Sequence, residues 1–204
     1  MLINSACITV YRACPDYNYP SEEQWVPGSN GTIYRFESAN GEVQEYKLDN
    51  THTNEAYRVG TIRSKLKRTE CSQDRSVRLV STENSHGFNV SERQNETISN
   101  SENTHFVSAS SYILEDGEIV KLQKLGLAFI SSTLVNSTHR NGNGFDYHSK
   151  LVVNGKTYSN VFSLKAVSTK QIQYFVNEIV IAKGHGLIQF ERRDGTVFNL
   201  VSIN

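Results

Sequence analysis

The stretch that decides the fold lies at the carboxyl end of the chain, where residues Gln171–Asn204 have the sequence QIQYFVNEIVIAKGHGLIQFERRDGTVFNLVSIN. It contains three apolar runs with alternating polarity, and a period of two is typical of strands with one buried face. The runs are separated by KGHG at 183–186 and by DG at 194–195. Glycine-containing breaks between alternating runs are strong hairpin signals. We therefore predict a closing meander of three antiparallel strands.

The same signals recur upstream. Asn154-Gly155 separates two alternating runs, and this dipeptide supplies the positive φ angles that a type I′ turn needs. Residues 39–41 (Ala-Asn-Gly) and 115–118 (Glu-Asp-Gly-Glu) also lie between alternating runs. No stretch has the 3.6-residue period of an amphipathic helix. The fold class is therefore predicted to be all-β, an antiparallel meander of about ten to twelve strands that forms a sandwich or partial barrel.

The length of 204 residues suits a single sandwich or barrel. We predict that residues 15–204 form one all-β domain. Residues 82–104 are polar and offer few side chains to bury. They are expected to be a polar insertion, either a long mobile loop or a pair of weak edge strands.

Two aromatic positions carry specific expectations. Trp25 is the only tryptophan, and it is expected to plug one end of the core, with a ligand platform as the alternative. In the predicted strand 157–167, strict alternation places Tyr158, Asn160 and Phe162 on one face.

Charge and hydropathy narrow the choice of partners. The chain has 21 basic and 21 acidic residues, whereas nucleic-acid binding normally shows as an excess of Lys and Arg. No run approaches the ~20 apolar residues of a membrane-spanning helix. The expected partner is a protein, a glycan or an apolar small molecule, with no nucleic acid and with membrane contact only through a lipid anchor.

The sequence lacks the common catalytic and phosphate-binding motifs. The sequence has no G-x-S-x-G, no phosphate-binding G-x-x-x-x-G-K and no dinucleotide fingerprint. The nearest approach to a metal site is His139, Asp146 and His148, but Asn and Gly at this density are explained by hairpin turns. His185, between two glycines, is predicted to be an exposed turn residue. We expect no catalytic residue, no metal and no cofactor.

The cysteines indicate neither a disulfide framework nor a zinc site. Cys7, Cys14 and Cys71 are odd in number and lack metal-ligand spacing, although one pair could close in an oxidising compartment. Residues 1–14 lack a basic start and carry polar residues within their apolar part, so they are not predicted to be a signal peptide as written.

Several segments together resemble a known group of proteins. The motifs are WVP at 25–27, YRF at 34–36, NGKTYSNVF at 154–162, AKGHGLIQF at 182–190 and DGTVFNL at 194–200. With these motifs the chain resembles small lipoproteins of the Bacteroidetes cell envelope. The resemblance spans roughly residues 14 to 201, and 65–104 contributes nothing to it.

The resemblance implies export to the periplasm or outer membrane and tethering through a lipidated cysteine, for which Cys14 is the matching position. It therefore implies that residues 1–14 are a remnant export or tether segment. Tyr11 and Arg12 depart from the lipidation pattern, which expects a leucine-like residue and a small residue there. Either the start is truncated or this member is not lipidated. The resemblance carries no catalytic residues over to this chain.

We therefore predict a non-enzymatic, extracytoplasmic envelope protein with a binding or structural role. One alternative is a carrier that holds an amphiphile or another apolar ligand in a curved sheet. Another is a metal-assisted hydrolase built around His139, Asp146 and His148. A concave sheet face filled by its own side chains would distinguish the first reading from the carrier.

Overall fold

The computed structural model describes residues 25–53, 57–59, 70–83, 85–97, 102–116, 118–131, 145–166 and 176–204. These residues form twelve β-strands and no helix, which confirms the predicted all-β class. The strands are β1 (Ile33–Ser38), β2 (Val43–Thr53), β3 (Tyr57–Val59), β4 (Glu70–Ser81), β5 (His86–Thr97), β6 (Glu102–Glu115), β7 (Glu118–Ser131), β8 (Phe145–Val153), β9 (Lys156–Lys165), β10 (Val176–Ala182), β11 (Gly186–Arg192) and β12 (Val197–Ile203).

Eleven of these strands follow one another in a single antiparallel sheet, in the order β7-β6-β5-β4-β2-β1-β12-β11-β10-β9-β8, and β3 pairs with β4 beside this path. The sheet curls, because β7 at one end of the order also contacts β8, β9 and β10 at the other end. The result is a half-barrel, which is the partial barrel of the prediction.

The closing meander forms as predicted from β10, β11 and β12, and residues 171–175 lie outside the described part of the chain. The β11–β12 turn is closed by the Arg192 amide, which donates to the Thr196 carbonyl at 2.9 Å, and Gly195 in this turn has a φ of +85°. In the β8–β9 turn, Asn154 and Gly155 have φ values of +48° and +75°. The predicted type I′ turn is thus confirmed.

Of the two alternatives expected for residues 82–104, the described residues form strands and not a loop, but the strand they form is not at an edge of the sheet. Residues 86–97 form β5, which pairs with β4 on one side and with β6 on the other along its length. Phe88 and Val90 of this strand are buried in the core. Because two neighbours satisfy the backbone of β5, two inward apolar side chains are enough to hold a strand whose other residues are polar.

Buried apolar side chains of the described residues line the concave face of the sheet. Phe190 is at the centre of an aromatic group, stacked on Phe198 at 4.8 Å between ring centroids and edge-on to Phe36 at 5.3 Å. The buried members of this core are Trp25, Val26, Tyr34, Phe36, Tyr46, Leu48, Val77, Leu79, Phe88, Val90, Val107, Ala109, Leu125, Phe145, Phe162, Leu164, Val176, Ile179, Ile181, Leu187, Phe190 and Phe198.

A second, smaller core lies on the opposite face. Its buried members are Val153, Tyr158, Val161, Val180, Ala182 and Ile188. The tip of the β8–β9 hairpin therefore covers the convex side of β10 and β11. The prediction that Tyr158 shares a face with Phe162 is wrong, because Asn160 between them has a φ of +52° and interrupts the alternation.

The turns lie at two opposite ends of the half-barrel. The pairing of Ser38 with Phe198 sets the β1–β2 and β11–β12 turns side by side, and the β6–β7 turn lies at this same end, which we call the lower end. The pairing of Ala182 with Val161 and with Gly186 sets the β8–β9 and β10–β11 turns at the opposite, upper end.

Candidate functional site

The segment before β1 plugs the concave face. Trp25 is 2% exposed, and its ring lies 4.8 Å from that of Phe162 in β9. The Tyr34 hydroxyl donates to the Pro27 carbonyl at 2.6 Å, and burial raises the pKa of this hydroxyl. The core-plug interpretation of Trp25 is confirmed, because a tryptophan buried to this degree leaves no ring face open to a ligand.

An ion pair clamps this plug to the other side of the curled sheet. Arg75 of β4 and Glu92 of β5 are direct cross-strand partners, with Nη1 3.0 Å from Oε1. Glu92 Oε2 accepts a hydrogen bond from the Trp25 amide at 3.0 Å, and Arg75 donates to the Val26 carbonyl. This clamp was not predicted from the sequence, because its hydrogen-bonded partners are 49 and 67 residues apart along the chain.

A buried polar pair lies lower in the core. The Tyr46 hydroxyl and His86 Nε2 share a hydrogen bond, and both residues are buried. Burial, and next the charge of Arg192, lower the pKa of His86 to about 4, so the imidazole is neutral at neutral pH. Burial raises the pKa of Tyr46 as well.

Arg192 ties the two neighbouring turns of the lower end together. Its Nη1 donates to Glu42 Oε1 at 2.6 Å, and its Nη2 donates to Asp194 Oδ2 at 2.7 Å. The bond from Arg192 and that from Thr196 hold the pKa of Asp194 well below its usual range. Asp194 is therefore held in its ionised form within the β11–β12 turn, and Glu42 is joined to that turn through Arg192.

The convex side of β8, β9 and β10 carries a second polar group. Lys165 Nζ donates to Asp146 Oδ2 at 3.0 Å, which raises the pKa of the lysine. The Ser163 hydroxyl donates to Glu178, whose pKa is raised mainly by burial. A serine beside a carboxylate could in principle be an activated nucleophile. Ser163 is only 4% exposed, however, so a substrate could not reach it.

The residues of the hypothetical metal site are only partly described. His139 lies outside the described residues, whereas Asp146 and His148 lie two residues apart on one face of β8. Asp146 is engaged by Lys165. Among the side chains that the structure describes, no three His, Cys, Asp or Glu residues come together as a potential metal site.

The structure also places His185 and one of the three cysteines. His185 lies in the β10–β11 turn, partly exposed, with its ring edge-on to Tyr158 at 5.1 Å. Cys71 lies in β4 opposite Glu96 of β5. Cys7 and Cys14, the candidate lipid-attachment residue, lie outside the described residues.

The described ranges contain no helix that is both long and apolar enough to span a bilayer. No protein-family model, no curated protein and no solved structure matches this chain.

Proposed function

We propose that this chain is a non-enzymatic, extracytoplasmic protein of the bacterial cell envelope with a binding or structural role. The observation that carries the proposal is the cluster of buried aromatic and aliphatic side chains on the concave face. Curved sheets that carry apolar ligands keep a cavity on that face. Here the face is occupied by the protein's own aromatic side chains, and Trp25 is inserted where the two sides of the curl approach each other.

The polar residues support the same proposal. The groups best suited to chemistry are engaged in contacts that hold strands together: Arg75 with Glu92, Tyr46 with His86, and Ser163 with Glu178. Each pair joins different strands, and each is buried or mostly buried. Their arrangement is that of a rigid scaffold whose interactions with other molecules occur on its outer surface.

Native mass spectrometry of the full chain, purified from a bacterial host, tests the non-carrier role. The spectrum is compared with that of the same sample after denaturation. A bare polypeptide mass in both supports the proposal. Excess mass that disappears on denaturation would overturn it, with an amphiphile-sized increment indicating a carrier and an increment of a metal ion indicating the hydrolase.

The envelope location and the lipid tether through Cys14 belong to the same proposal and rest on the resemblance of the motifs. Expression in a Bacteroidetes host with a fatty-acid label tests them. Label on the full chain that is lost in Cys14→Ser and kept in Cys71→Ser supports the tether. Label that persists in Cys14→Ser, or is absent from the unaltered chain, contradicts it.

A further inference from the structure

The chain contains five Asn-Gly dipeptides, and three of them lie among the described residues, at 30–31, 40–41 and 154–155. Asparagine is most reactive toward deamidation when glycine follows it, because glycine has no side chain to hinder attack by its backbone nitrogen on the asparagine carboxamide. Both residues of all three described pairs are exposed to solvent. The dipeptide and its exposure therefore do not distinguish the three sites.

Hydrogen bonds hold the glycine nitrogen at two of these pairs. The Gly31 amide donates to the Leu48 carbonyl at 2.7 Å, and the Gly41 amide donates to the Ser38 carbonyl at 3.0 Å. The carboxamide of Asn40 is held as well, since the Ser38 hydroxyl donates to its Oδ1. The glycine nitrogen attacks in its deprotonated form, so a bond that it donates to a carbonyl must break before the reaction.

The pair at the tip of the β8–β9 hairpin is held differently. Asn154 and Gly155 are the two central residues of the type I′ turn, with φ values of +48° and +75°. The hydrogen bonds that close such a turn join the residues on either side of the central pair. Within the described part of the chain, neither the Gly155 amide nor the Asn154 carboxamide has a hydrogen-bond partner. No hydrogen bond of the turn therefore opposes the attack at this pair.

We propose that Asn154 is a site of spontaneous deamidation through a succinimide. The Gly155 nitrogen forms a bond to Asn154 Cγ, and its proton passes through solvent to the departing amide group, which leaves as ammonia. Water then opens the ring. Attack of water at Cγ gives ordinary aspartate, whereas attack at the backbone carbonyl carbon gives a β-aspartyl linkage. Water is the only co-reactant, and no group is oxidised or reduced.

The β-aspartyl product alters the hairpin as well as its charge. It routes the main chain through Cβ and Cγ, which adds one carbon atom to a loop of two residues. Val153 and Tyr158, on either side of the turn, are buried in the second core. Because a longer loop no longer fits the pairing of Val153 with Lys156, the hairpin tip should loosen over this core. Ordinary aspartate tolerates a positive φ and should leave the turn intact.

The modification needs no ligand, enzyme or partner, so it does not depend on the proposed role in the cell envelope. It also leaves the native mass spectrum free of any increment that disappears on denaturation. The deamidation site and the proposed function can therefore fail separately.

Site-resolved peptide mapping tests the proposal. The folded chain is incubated at mildly alkaline pH, which favours the deprotonated nitrogen, and samples taken over time are digested with trypsin. Trypsin releases residues 36–47 and residues 151–156 as separate peptides, with Asn40 and Asn154 as their only asparagines. One hydrogen bond of ordinary strength corresponds to about a tenfold difference in rate, so Asn154 should deamidate about tenfold faster than Asn40.

The same chain unfolded in urea is the control, because no turn protects either asparagine there. The two sites should then react at similar rates, since glycine follows both. Three results overturn the proposal: an Asn154 that stays unmodified in the folded chain, equal rates at Asn154 and Asn40 in the folded chain, or a rate difference that persists unchanged in urea.

Hydrogen exchange tests the effect on the hairpin. Glutamine closes the corresponding ring much more slowly, because the ring is one atom larger, so Asn154→Gln is the matched variant. Aged and fresh samples of each protein are compared, after circular dichroism has shown that both proteins are folded. Ageing should speed the exchange of residues 151–158 in the unaltered chain and not in the variant. An ageing effect of equal size in both proteins would overturn the predicted loosening.

Discussion

The Tyr46 hydroxyl and the His86 imidazole are hydrogen-bonded inside the core although their strands, β2 and β5, are separated in the sheet by β4. Their rings meet edge-on, 5.4 Å apart. The contact passes over β4, where the residue opposite Tyr46 is the small Ser81. It places a titratable group among buried aromatic rings, where the neutral form is strongly favoured.

This placement predicts that the protein loses stability in mild acid. The folded protein binds a proton on His86 with a pKa of about 4, against an ordinary value of 6.5. The contribution of neutral His86 is therefore complete above pH 6.5 and is lost as the pH falls from 6.5 toward 4. The loss amounts to about 3 kcal/mol of unfolding free energy. Urea unfolding at a series of pH values measures it.

The variant His86→Gln removes the titrating group, so its unfolding free energy should change less between pH 7 and pH 4 than that of the unaltered protein. His185→Gln, which removes a partly exposed histidine from the β10–β11 turn, is the matched control and should keep the pH dependence. Equal pH dependence in His86→Gln and in the unaltered chain would contradict the assignment to His86.

The Arg75–Glu92 clamp predicts a change that the single tryptophan reports directly. In Glu92→Ala, the Trp25 amide and the Arg75 guanidinium both lose a partner. We expect a loss of about 1–3 kcal/mol in unfolding free energy. Tryptophan fluorescence should shift to longer wavelength as the ring gains access to water.

Asp74→Ala is the control for this variant, because Asp74 pairs with Arg93 on the same two strands but both side chains are more exposed. Its tryptophan emission should match that of the unaltered protein. An unshifted emission maximum in Glu92→Ala would show that the plug stays in place without the clamp.

Truncation of Phe162 should be among the most destabilising single changes in the described core. The side chain is 1% exposed, and its ring contacts those of Trp25, Phe145 and Tyr147. Phe162→Ala should cost about 3–5 kcal/mol, because it removes buried area and leaves a cavity. Val152→Ala, at an exposed position, should change stability by less than about 0.5 kcal/mol. A loss below about 1 kcal/mol for Phe162→Ala in denaturant unfolding would place Phe162 outside the core.

A substitution at Gly195 tests backbone strain without a change in side-chain packing. No atom lies within 4 Å of a Cβ built at this position, but its φ is +85°. Gly195→Val should therefore destabilise the β11–β12 hairpin by about 1–3 kcal/mol through backbone strain alone. Gly195→Asn should cost less, since asparagine tolerates the left-handed region. Equal melting temperatures for the Val variant and the unaltered protein would show that the hairpin does not need this conformation.

Local features of this protein were determined by the sequence itself. The turns at 154–155 and 194–195, the existence of the strands that flank them and the all-β class were predicted correctly. These features depend on interactions between residues close in the chain, such as the φ freedom of Asn-Gly and the period-two burial of a strand. Local interactions of this kind act in the same way wherever the segment is finally placed.

Only the tertiary structure decided which strands become neighbours. The polar segment 86–97 is a fully paired interior strand because β4 and β6 lie on either side of it, not because of its own composition. The positive φ of Asn160 places Tyr158 on the face of the second core, where it packs in the same cluster as Val180 and Ile188. Trp25 has its role because the curl brings β9 close to β4 and β5. Each outcome depends on contacts between residues that are far apart in the chain. The energies of these contacts are individually small, and they add up only when the half-barrel is assembled.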